Sequence, residues 1–171
     1  MLNRSKQLCA GLLLLALSYA TAEATLMKYL EIEDLARLST EIIHGQVLAT
    51  KTYWDDSHTR ILTAVRVQVS ECFKGKSARG ATITLVQLGG TLDGRTMDYS
   101  GRPTFRVGED MIVFTRPNQH NELLVVGLKQ GKLAIHNNEA QRELGGVTFI
   151  DADMNVGNSA NRAQARKTVQ M

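Results

Sequence analysis

The stretch RILTAVRVQVSECFKG, Arg60 to Gly75, constrains the fold more than any other part of the chain. From Ile61 to Val69 it alternates, with Ile61, Thr63, Val65, Val67 and Val69 on one side and Leu62, Ala64, Arg66, Gln68 and Ser70 on the other. Strand side chains point to opposite faces in turn, so period two with this many β-branched residues predicts a long strand with one buried face. Phe73-Lys74-Gly75 closes it with an aromatic and a turn. The remaining strands are expected to wrap around this one. Cys72 shares the parity of Gln68 and Ser70, which puts it on the more polar face unless a bulge intervenes at Glu71.

The flanking sequence supplies the partners. Glu41 to Trp54 reads as a strand with Ile42, Ile43, Val47 and Leu48 as core candidates, and Gly45 within it marks a bulge or a close backbone approach. Asp55-Asp56-Ser57-His58-Thr59 has hairpin-loop length and composition, so the two long strands should pair antiparallel. Upstream, Leu26 to Leu30 fits a short strand and Glu31 to Leu38 a short amphipathic helix with acids in its first turn. Downstream, strands are expected at Ala81 to Leu88, Met111 to Thr115, Leu123 to Leu128, Lys132 to Ile135 and Val147 to Ile150. Asp93-Gly94 is a hairpin signal that folds Arg95 to Tyr99 back on the third strand. Met111 to Thr115 is nearly all apolar and should be covered on both faces. The pattern defines an all-β chain of the small-barrel or sandwich kind, with about six to eight strands and one short N-terminal helix.

The ends of the chain read differently. Arg4 and Lys6 precede an apolar run, Leu8 to Leu17, and small residues follow at Ala20, Ala22 and Ala24. This is the pattern of a signal peptide over residues 1–24, cleaved near Glu23 or Thr25, and the run is about half the roughly 20 residues that span a bilayer. A barrel domain over 25–150 and a flexible tail over 151–171, loosely helical at 160–169 if ordered, complete the division. Cys9 leaves with the leader, so Cys72 is alone and no internal disulfide is expected. The net charge of +3 sits in the ends, because residues 25–159 hold fifteen basic and sixteen acidic side chains, a net −1. The body therefore offers no bulk electrostatic case for nucleic acid or anionic membrane.

The order of motifs carries a resemblance. It runs I-I-H-G-Q-V, then I-L-T-A-V-R-V-Q-V-S-E-C-F-K-G, T-I-T-L-V-Q-L-G-G and G-R-P-T-F-R-V-G-E-D-M-I-V-F. Between about Asp34 and Ile135 this resembles a group of exported bacterial proteins of unassigned activity. Their core looks like the OB-type barrel of netrin-like and tissue-inhibitor-of-metalloproteinase domains. The matching residues are Val69, Glu71, Lys74 and Gly75, then Gly108, Glu109 and Phe114. The resemblance implies a small OB-like β-barrel. It does not carry over the inhibitory mechanism, which uses an N-terminal cysteine and a cysteine-stapled framework that this chain lacks.

No catalytic constellation, metal set or cofactor motif emerges. His44, His58, His120 and His136 are scattered without ligand spacing, and Gly89-Gly90 and Gly101 lack the phosphate-cradle order. Asp55-Asp56 and Glu109-Asp110 lie at turns, where carboxylates cap backbone amides. The expected function is a periplasmic or secreted, non-enzymatic binding module for a protein partner, monomeric, without a membrane span or nucleic acid. Its binding candidates are Tyr53 and Trp54 at the end of the first long strand and Tyr99 and Phe105 in the glycine-rich loop. The alternative is an enzyme or metal protein built around Cys72 and a histidine.

Overall fold

The computed structural model describes residues 26–150 and 168–170. The expected leader and nearly all of the expected tail lie outside the described residues. In chain order the elements are β1 (Leu26–Lys28), α1 (Ile32–Leu38), β2 (Glu41–Trp54), β3 (Ile61–Lys74), β4 (Thr82–Leu88), β5 (Gly90–Leu92), β6 (Arg95–Met97), β7 (Asp110–Pro117), β8 (Leu123–Val125), a 3-10 turn (Leu128–Gly131), β9 (Lys132–His136), β10 (Glu139–Arg142), β11 (Thr148–Ile150) and β12 (Thr168–Gln170).

Five of these strands close a ring. β2 pairs antiparallel with β3 and β3 with β4; β4 lies parallel to β8; β8 and β2 both pair antiparallel with β7. Counted along the chain, the ring runs first, second, third, fifth, fourth and back to first. This is a small Greek-key barrel of OB-like kind. β9, β10 and β12 continue the sheet beyond β7, giving eight hydrogen-bonded strands in all. β1 and β11 form a separate parallel pair, and β5 and β6 a separate hairpin.

The alternation read from the sequence explains the interior. Val65, Val67 and Val69 of β3 point inward with Ile43 and Val47 of β2, Leu85 of β4, and Met111 and Val113 of β7, and all are buried. The intervening residues of β7, Ile112 and Phe114, pack outward with Leu133 and Ala140 beneath Leu35 of α1. β7 is thus covered on both faces, as its composition predicts. Lys74 fastens the C-terminal end of α1, where carbonyls lack helical partners: Nζ donates to Ala36 O at 2.8 Å and Ser39 O at 2.6 Å. Buried Gln130 ties the 3-10 turn to the end of β1 and the residues before α1, accepting from Leu30 N at 2.8 Å and donating to Lys28 O at 3.0 Å.

Bulges reset the parity of the long hairpin. Register shifts fall at Ile42/Ile43, His44/Gly45 and Val47/Ala49, leaving Phe73, Ser70 and Leu48 as the extra residues. Two expectations change as a result. Cys72 turns inward and packs against the barrel core rather than the polar face, and Leu48 is 37% exposed rather than core. Gly45 is where the backbones approach, as a Cβ there would lie 2.3 Å from Gln68 O.

Two further expectations are corrected. β6 pairs with β5, not with the third strand, because Gly89 and Gly90 adopt positive φ and break the chain away from β4. β8 ends at Val125, since Gly127 and Leu128 are left-handed and lead into the 3-10 turn. Of the expected tail, residues 168–170 form β12 against β10.

Candidate functional site

Trp54 ends β2 and stacks on His58, with ring centroids 6.4 Å apart and planes 19° from parallel. The loop between them is organised by one carboxylate. Asp55 Oδ1 accepts from Thr59 N at 2.8 Å and Arg60 N at 3.0 Å, while Oδ2 accepts from Arg60 Nε at 3.0 Å, Ser57 Oγ at 3.1 Å and Thr59 Oγ1 at 3.3 Å. The backbone N–H of Arg60 leads in holding the Asp55 carboxyl far below the usual range, helped by the Arg60 guanidinium, Thr59 and Ser57. On the far side of Trp54, Nε1 points to Asp93 Oδ2 at 3.5 Å. Asp93 and Gly94 are both left-handed, the primed turn that an Asp-Gly hairpin requires.

The other candidates scatter around this end of the barrel. Tyr53, one residue earlier on β2, faces the opposite way. Burial pushes its phenol up, and the Glu122 and Asp56 carboxylates add to the effect. The nearby 118–122 loop is also organised by one side chain: Asn118 Oδ1 accepts from His120 N at 2.8 Å and Glu122 N at 3.0 Å. Tyr99 is 36% exposed and lies over Gly89, where a Cβ would be 3.1 Å from Tyr99 Cδ2. Phe105 joins none of them; its ring packs on the barrel core with Lys132 Nζ 5.3 Å from its centroid.

Lys132 belongs to a feature the sequence reading missed. Its side chain and that of Glu109 are only 5% and 8% exposed, and they form an ion pair. Lys132 Nζ also donates to Thr104 O at 2.6 Å, and Glu109 Oε2 accepts from Arg106 N at 3.0 Å. Beside the pair lies a cleft of about 220 Å³ lined by Arg102, Pro103, Thr104, Lys129, Lys132, Ala134, Glu143 and Gly145. Lys129 Nζ reaches across it to Gly145 O at 2.6 Å. Arg102 holds the Asp98 carboxyl below its ordinary range, and Arg106 lies 4.0 Å from Glu143. The sequence places Glu109 at a turn and Lys132 at the start of a strand, twenty-three residues apart. The available signal was parity, since Lys132 shares a face with Ala134.

Cys72 and His44 lie on opposite faces of the β2–β3 pair, since Cys72 pairs with inward Ile43 and His44 with Glu71. Cys72 Sγ donates to Lys74 O at 3.2 Å. His44 Nε2 sits 2.9 Å from Asp110 Oδ1, and His58 is taken up by Trp54. Among the described residues no group of three or more metal-binding side chains gathers, and no helix is long and apolar enough to cross a membrane. No protein-family model, no curated protein and no solved structure matches the chain. Its class therefore rests on its own geometry: a small OB-like barrel with a packed interior and stiff end loops that carry aromatic side chains.

Proposed function

We propose that the protein is an exported binding module, periplasmic or secreted, that acts on a protein partner through Tyr53, Trp54 and the loops beside them. The observation that carries this reading is the Asp55 hub. Five hydrogen bonds to one carboxylate fix the loop on which the half-buried Trp54 sits. Aromatic anchors held in advance lose little conformational freedom on binding, which is how a small surface attains useful affinity. The filled barrel interior favours contact at the ends over a ligand inside. The likeness to netrin-like and tissue-inhibitor-of-metalloproteinase domains supports a protein as partner. Export rests on the leader pattern of residues 1–24.

Two measurements test the reading. N-terminal sequencing of mature material should begin near Glu23 or Thr25, and an intact Met1 form in the cytoplasm would sink export. Affinity capture from periplasm or culture medium should recover a partner that Trp54→Ala loses. Trp54 is the only tryptophan, so its fluorescence reports the contact directly. An unchanged emission spectrum on addition of the captured partner would remove Trp54 from the interface.

A further inference from the structure

We propose that the cleft between the 102–104 loop, the 3-10 turn and the segment after β10 binds a small organic carboxylate. The lining contains three cations and one acid, Arg102, Lys129, Lys132 and Glu143. Three of these four are already balanced: Lys132 by Glu109, Arg102 by Asp98 and Glu143 by Arg106. Lys129 makes no ion pair among the described residues; its one recorded bond is to Gly145 O. An ammonium has three donors, so two remain, and only Nε of Arg102 is committed to Asp98. Lys129 and Arg102 both act on the one Asp98 carboxylate. The lining and its ion-pair partners therefore hold four cations (Arg102, Arg106, Lys129, Lys132) against three acids (Asp98, Glu109, Glu143), a net positive charge, beside a guanidinium edge suited to a planar carboxylate.

Size and lining decide between anions. About 220 Å³ is the room of several waters, more than a bare inorganic anion fills, and Pro103 and Ala134 give it an apolar wall for a short carbon body. Glu143, on the same lining, accepts from a hydroxyl on that body. A short hydroxy acid satisfies all three features. This inference does not rest on the protein-partner reading, because neither Tyr53 nor Trp54 lines the cleft.

The test is titration of the ¹⁵N-labelled full mature protein, at constant ionic strength, with lactate, its neutral isostere lactamide, and inorganic phosphate. Lactate should move the amide resonances of Thr104, Lys129 and Gly145 saturably, while lactamide should not. Lys129→Gln, which keeps a donor for Gly145 O, should weaken binding about tenfold or more, and Lys129→Arg should retain it. Equal responses to lactate and lactamide, phosphate binding as tightly as lactate, no saturable shift at these residues, or undiminished binding by a folded Lys129→Gln would each overturn the assignment.

Discussion

Gly45 carries no side chain because Gln68 O occupies the place where one would go, 2.3 Å from the position of a Cβ. Gly45→Ala must push the two longest strands apart, and overpacking of this kind costs about 1–3 kcal/mol. Gly145 is the matched control, since a Cβ there meets nothing within 4 Å, and Gly145→Ala should stay within about 0.5 kcal/mol of wild type. Denaturant melts of both variants check the pair; equal stabilities would mean the β2–β3 approach is not tight. Asp55 makes a prediction in pH. Its folded pKa lies below its unfolded one, so its stabilisation is present above the ordinary carboxylate value of about 3.9 and disappears as pH falls through the folded value. Asp55→Ala should therefore melt several degrees lower than wild type at neutral pH, and the gap should narrow steadily below about pH 4. A gap that persists to low pH would show that shape, not charge, is what Asp55 contributes.

β3 is the element whose sequence says most about the fold, and it supplies a paired test. Val67 is fully buried and Gln68 exposed. Val67→Asp places an unpaired carboxylate in the barrel core and should prevent folding, whereas Gln68→Asp should cost less than about 0.5 kcal/mol. Similar thermal melts for the two would contradict the two-faced strand. β2, β3, β4 and β7 were legible because each buries an alternating or wholly apolar set, a signal local to the strand. β10 was not, because Glu139-Ala140-Gln141-Arg142 is mostly polar and carries no alternating apolar set, and its place is set by its hairpin with β9 and its pairing with β12. The trace of that hairpin was Asn137-Asn138, both left-handed in the two-residue turn. Cys72 was misplaced for the opposite reason: its local pattern was clear, but the bulges at Ser70 and Phe73 depend on the partner strand. The candidate site followed the same division. Tyr53 and Trp54 were readable as strand-end aromatics, and the Asp55 loop as a capped turn. Phe105 and the Lys132–Glu109 pair were set by contacts between distant segments.

At the scale of the whole molecule, the buried Lys132–Glu109 pair joins the 98–109 loop to the sheet extension beyond the ring. Removing one partner leaves a buried charge, so Lys132→Met should cost about 3–5 kcal/mol, while Lys132→Met with Glu109→Leu should recover most of that loss. A double-mutant cycle by chemical denaturation checks it; strictly additive losses would mean the two side chains do not act as a pair. The parallel pairing of β1 with β11 has a mechanical consequence. Leu26, Met27 and Lys28 lie beside Thr148, Phe149 and Ile150 in the same direction. A force applied before β1 and after β11 pulls the two strands lengthwise past each other, so their backbone bonds share the load instead of opening one at a time. The barrel is thereby shielded from tension entering through residues 26 and 150 until that short clasp has sheared.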